Sequence, residues 1–231
     1  MTGKRRALWT VVALLIACVL SIATIWVARR AVGADVDQLA ERAVDMALAQ
    51  RPGGARASDE QVRAQMLPMM RGMLSLYPMT VPGGLLLSMI VISAILFGAY
   101  RVSGVALRWP MVFAACSTGA AVTAVLRFVI TIVVVFILRQ TIAADSLIDN
   151  SIVPLNVAAF LPEGTSAVWR SAGAKIDLML IVFVLGLIAY LVDEEGLARD
   201  ARKIIAATVV CYVLWILLGM GWTAAWAGFA G

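Results

Sequence analysis

Arg127 lies inside an apolar run, residues 111–138, where an unpaired cation near a bilayer centre costs at least about 2.5 kcal/mol. Residues 61–144 hold no Asp or Glu, so no close neighbour in sequence neutralises it. Ala115, Gly119, Thr123, Arg127 and Thr131 recur every four residues and share one slowly drifting helix face. Small residues on such a stripe let a second helix approach closely, so the arginine points into a bundle. Asp177 is the candidate partner. On helices running in opposite directions, Arg127 lies 16 residues from Met111 and Asp177 lies 16 from Asp193, roughly 24 Å in each case. An intramembrane Arg127–Asp177 ion pair is therefore expected near the outer boundary. Such a pair is either a step in a proton or ion path or a clamp that fixes packing. With no His in the chain and no second buried acid, a path lacks stepping stones, and the clamp is favoured.

Met66, Met69, Met70 and Met73, with Met79 beyond, form a second group. Thioethers on neighbouring helical turns can hold Cu(I), yet Met-rich faces more often serve as adaptable apolar contacts. Pro68 is also expected to bend the helix there. The reading is a partner-binding or membrane-lying surface. Catalytic templates fail by absence: the chain has no HExxH, GxSxG, Walker or GxGxxG pattern, and no His to activate a serine or cysteine. Cys18, Cys116 and Cys211 fall in apolar stretches without metal or disulfide spacing. Asp193-Glu194-Glu195 reads as a solvated turn. No catalytic residue, cofactor or metal ligand is assigned.

The elements that must hold these residues are set by composition. The 231 residues are 62% apolar and 14% charged, with net charge +5 and mean hydropathy +0.94. A soluble domain carries about 25% charged residues, so a water-soluble globule and a disordered chain are excluded. The basic residues sit at the ends of apolar segments, which points to lipid headgroups and not to nucleic acid. Five such segments stand out, at 7–28, 82–100, 111–138, 178–192 and 204–227. The fourth is short for a core of about 30 Å and spans only if 172–176 joins its helix, with Lys175 snorkelling outward. The expectation is an all-α integral membrane protein with five transmembrane helices.

The first segment follows Lys4-Arg5-Arg6, as a signal peptide would, but its length and the Arg29-Arg30 that follows favour an uncleaved anchor. Leu15-Ile16-Ala17-Cys18 fits a lipoprotein box, against which the chain stays apolar after Cys18. Orientation follows from short basic loops: Lys4 to Arg6, Arg101 with Arg108, and Arg199, Arg202 and Lys203 belong in the cytoplasm. That puts the N-terminus inside and the C-terminus outside, with Trp9, Trp26, Trp109, Trp222 and Trp226 at the interfaces. Three regions result: an anchor helix, 1–30; an extracytoplasmic amphipathic two-helix segment, 31–81; and a four-helix bundle, 82–231. In the second, Asp35 and Ser58 are helix caps, Val36, Leu39, Ala40, Ala43, Val44, Ala47 and Leu48 form an apolar face, and Arg51-Pro52-Gly53-Gly54 ends the first helix.

The C-terminal part carries Leu161-Pro162-Glu163-Gly164, then Ser171-Ala172-Gly173-Ala174-Lys175-Ile176-Asp177-Leu178. Val184-Leu185-Gly186-Leu187 follows, and then a last apolar run with Cys211-Tyr212-Val213-Leu214-Trp215. This resembles the bacterial branch of the Yip1-domain family over roughly residues 80–231, and the amphipathic segment after the first helix is also similar. The Asp-Leu-Tyr-Gly-Pro-type signature of eukaryotic members is absent, so Rab binding is not carried over. The resemblance implies a five-helix bacterial inner-membrane protein without catalytic activity, with Asp177 at a family-like position. It also implies an accessory subunit of an ABC-type export system, its partner a permease or periplasmic adaptor. The rival readings are an autonomous small-molecule or ion carrier, open to homo-oligomers, that uses Arg127, and a lipid-binding or membrane-shaping protein.

Overall fold

A computed structural model describes residues 3–33, 35–49, 59–137, 155–162, 164–193 and 197–229. Among these, the regular structure is helical apart from one isolated antiparallel bridge between Asn156 and Asp177. The helices are α1 (Gly3–Val32), α2 (Val36–Ala49), α3 (Asp59–Val102), α4 (Trp109–Ile132), α5 (Ala167–Lys175), α6 (Leu178–Asp193) and α7 (Ala201–Phe229). A π-helical turn, Val133–Ile137, continues α4, and a 3-10 turn, Val157–Phe160, precedes α5. Four stretches are long and apolar enough to cross a membrane: Lys4–Ala31, Met79–Val102, Trp109–Phe136 and Ala198–Leu218. α6 is a shorter apolar helix, and α2 and the first part of α3 fall between the first and second spans.

Two features depart from the sequence reading. Residues 172–176 do not extend α6. α5 ends at Lys175, and Ile176 leaves the helix with φ −87 and ψ 76. Backbone bonds from Val157 N to Ile176 O (3.1 Å) and from Leu178 N to Leu155 O (3.0 Å) take over there. The Asp177 carboxylate then accepts Met179 N at 2.9 Å, which starts α6 afresh. With 16 residues, α6 is roughly 24 Å long. The second departure is α3, one helix of 44 residues, roughly 66 Å. It runs unbroken through Pro68, Pro78 and Pro82 and across the expected 81/82 boundary.

The chain divides into two compact units. One comprises Met1–Ala17, Leu86–Arg127 and Pro154–Gly231. Its core includes Tyr100, Leu107, Val112, Cys116, Leu187 and Ile204, each 2% exposed or less. Polar ties cross it: Trp9 Nε1 donates to Thr118 Oγ1 (3.0 Å), and Tyr100 and Thr208 share a hydroxyl bond of 2.7 Å. α3 and α4 are joined by a tight turn in which Gly104, at φ +74, takes the left-handed conformation that glycine alone adopts freely.

The other unit comprises Cys18–Leu85 and Phe128–Val153. In it α1 ends at Gly33, φ +63, with Arg29 and Arg30 in its last turn offsetting the helix dipole. Asp35 Oδ1 accepts Val36 N at 2.7 Å and α2 begins. Leu39, Ala40, Ala43 and Val44 of α2 are buried, as are Thr24 and Ala28 of α1. The cap at Ser58, the stop at residues 51–54, Glu194 and Glu195 lie outside the described residues, as do the side chains of Trp222 and Trp226.

Candidate functional site

α4 and α6 pack backbone to backbone. Ala115 is fully buried on α4. A Cβ on Gly119 would meet Phe183 O at 2.7 Å and the Phe183 ring at 3.1 Å, so only glycine fits there. A Cβ on Gly186 would lie 3.4 Å from Gly119 Cα, a contact that is filled without clash. Thr123 Oγ1 donates to Gly119 O (2.8 Å) and reaches Met179 O at 3.4 Å. Four residues forward on α4, from Gly119 to Thr123, thus match four back on α6, from Phe183 to Met179. The helices are antiparallel, and one further turn carries Arg127 to the level of the Ile176–Asp177 break.

Arg127 is partly buried, and the Asp177 carboxylate is engaged on Met179 N. The salt bridges seen among the described residues are Arg63–Asp45, Arg71–Asp37 and Lys203–Asp200, and Arg127–Asp177 is not one of them.

Around the break stand three contacts that the sequence reading missed. A Cβ on Gly173 of α5 would lie 2.9 Å from Ala158 N, so the 3-10 turn rests directly on α5. Tyr212 of α7 donates its hydroxyl to Lys175 O at 3.1 Å. Lys175 Nζ lies 4.7 Å from the Trp215 ring centroid. Tyr212 and Trp215 stand three apart, on one face of α7, and that spacing was the available signal. These groups pack and cap. None is a nucleophile beside a base, and no group of three His, Cys, Asp or Glu side chains among the described residues could hold a metal.

The methionines sit on the first part of α3. Asp37 pairs with Arg71 (2.8 Å) and Asp45 with Arg63 (3.0 Å), so eight residues along α2 match eight back along α3. The two helices form an antiparallel hairpin. Arg29 Nη2 donates to Leu74 O at 2.9 Å, which sets the end of α1 level with Leu74 and leaves residues 59–73 running beyond it beside α2. Met66 and Met70 are partly buried. Met69 and Met73 are 55% and 60% exposed, and Leu76 and Met79 continue the apolar stripe toward the second span. Comparison of the chain with protein-family models, curated proteins and solved structures finds no match.

Proposed function

We propose that this is a non-enzymatic polytopic membrane protein that acts as an accessory or modulatory subunit of a multicomponent, ABC-type export system. The observation that carries the reading is the α2–α3 hairpin. It continues directly into the second span, is built on a buried apolar face, and presents Met69 and Met73 outward. Thioether side chains suit a docking surface that adapts to a partner. A seam as tight as that between α4 and α6 supports a scaffold over a carrier that rearranges around a substrate. The likeness to bacterial Yip1-domain proteins supports the choice of a permease or periplasmic adaptor as partner.

In this reading α6 is a fifth crossing of a bacterial inner membrane. Lys4, Arg5, Arg6, Arg101, Arg108, Arg199, Arg202 and Lys203 face the cytoplasm, the hairpin and the C-terminus face outward, and the arginine and aspartate at 127 and 177 share a level within the bundle. The test is affinity purification of the full chain in nanodiscs with mass spectrometry of what stays at fixed stoichiometry. An ABC permease or adaptor is expected, and its loss from the Met69→Asp/Met73→Asp variant. Elution alone, or only with further copies of itself, overturns the reading.

A further inference from the structure

We propose that the end of α1 carries a binding site for a zwitterionic phospholipid headgroup, with the phosphate on Arg29 and Arg30 and the ammonium on Asp35. The construction starts with Pro78. Proline has no N–H, so the carbonyl four residues earlier in α3, that of Leu74, loses its helical donor. Arg29 replaces it, donating Nη2 to Leu74 O at 2.9 Å. A guanidinium is a planar fork of five N–H donors, so tying one nitrogen fixes its plane and leaves other donors for an oxyanion. Arg30 is held too, with its guanidinium carbon 5.7 Å from the Trp26 ring centroid.

Trp26, Arg29, Arg30, Gly33 and Asp35 together line an open cavity of about 550 Å³. The left-handed turn at Gly33, φ +63, returns the chain so that Asp35 borders the same cavity as the arginines. Asp35 Oδ1 accepts Val36 N, and a carboxylate keeps a second oxygen that can accept from a cation. A phosphate beside an ammonium is complementary in sign to two arginines beside one aspartate. The cavity lies at the end of the span Lys4–Ala31, the depth at which Trp side chains mark the headgroup level. Trp26 is 62% exposed and Val19, seven residues below on the same helix face, is 61% exposed. That apolar surface suits acyl chains, which inorganic phosphate lacks.

Native mass spectrometry of the delipidated full chain tests the site, with micelles of phosphatidylethanolamine, micelles of phosphatidylglycerol, or inorganic phosphate alone as probes. Phosphatidylethanolamine should be retained most strongly. Arg30→Gln leaves the Arg29–Leu74 bond in place, and this variant and Arg29→Gln/Arg30→Gln should each lower retention by about tenfold or more, the scale of one charge-assisted hydrogen bond. Asp35→Asn keeps a helix cap and should remove the preference for phosphatidylethanolamine over phosphatidylglycerol. Undiminished retention in the arginine variants at unchanged helical content overturns the site. Displacement of the lipid by inorganic phosphate at equal concentration overturns its assignment to a headgroup, and an unchanged preference in Asp35→Asn overturns the role of the ammonium.

Discussion

Gly119 meets Phe183 with no room for a side chain: a Cβ would lie 2.7 Å from the Phe183 carbonyl oxygen. Because that atom belongs to a helix backbone, it cannot swing aside. Gly119→Ala should therefore destabilise the protein by about 1–3 kcal/mol, the usual cost of overpacking. Gly186→Ala, whose Cβ would sit 3.4 Å from its nearest neighbour, should cost under about 1 kcal/mol. Gly98→Ala, with nothing within 4 Å, should be neutral or slightly stabilising. Thermal unfolding midpoints in detergent read the series, and equal effects at the three positions would contradict the packing argument.

Asp177 starts α6 by accepting Met179 N. Asp177→Ala should cost about 1 kcal/mol, while Asp177→Asn, which keeps the acceptor without the charge, should lose only a few tenths. If the charge acts chiefly on Arg127, Asn will be as damaging as Ala. The comparison thus separates a cap from an ion pair by one stability measurement on two variants.

The α2–α3 hairpin should rest on its apolar face more than on its ion pairs. Arg71–Asp37 and Arg63–Asp45 have side chains about half exposed, so removing either should cost under about 1 kcal/mol and lose its effect in 1 M salt. Leu39, 1% exposed, should cost about 2–5 kcal/mol when cut to Ala. Hydrogen exchange across residues 36–49 reads the difference. Leu39→Ala as mild as Asp37→Asn would mean that charge holds the hairpin.

Tyr100 and Thr208 share a buried hydroxyl bond at 2.7 Å, and Thr208 also donates to Ile204 O at 2.7 Å. In a spanning bundle such bonds average about 0.6 kcal/mol. Tyr100→Phe should lower stability by roughly that amount, since the ring still fills its place. Tyr100→Ala should cost several times more, because the ring is fully buried. Matching losses in the two variants would show that the hydroxyl outweighs the packing.

The long spans were legible because lipid demands a run of apolar residues that no other environment selects, and 7–28, 82–100, 111–138 and 204–227 each overlap a span of the structure. α2 was legible for a related reason: Leu39, Ala40, Ala43 and Val44 repeat with the helix, and all four are buried. The spacing of Gly119 and Thr123 put both on one face of α4, where both meet α6. The end of α5 was not legible. Nothing in Ala172–Lys175 stops a helix; the interruption comes from Leu155 and Asn156, about twenty residues away, whose backbone pairs with that of Ile176 to Leu178. Pro68 suggested a bend, and α3 runs on as one helix through Pro68, Pro78 and Pro82. Each removes only one N–H bond, and at Pro78 the orphaned carbonyl of Leu74 is taken up by Arg29, a partner 45 residues distant that no local pattern announces.

The shortness of α6 has a consequence for where the protein is at ease. With α6 as a crossing, its 16 residues fall some way short of an average bilayer, while α1, α3, α4 and α7 can tilt to suit one. Mismatch then loads a single helix, and the load gathers where the backbone is already out of helical form, at Ile176 and Asp177. A thicker membrane must thin locally around this point or strain it, and a thinner one relieves it. In the proposed five-crossing arrangement, bilayer thickness is thereby registered at one pair of residues.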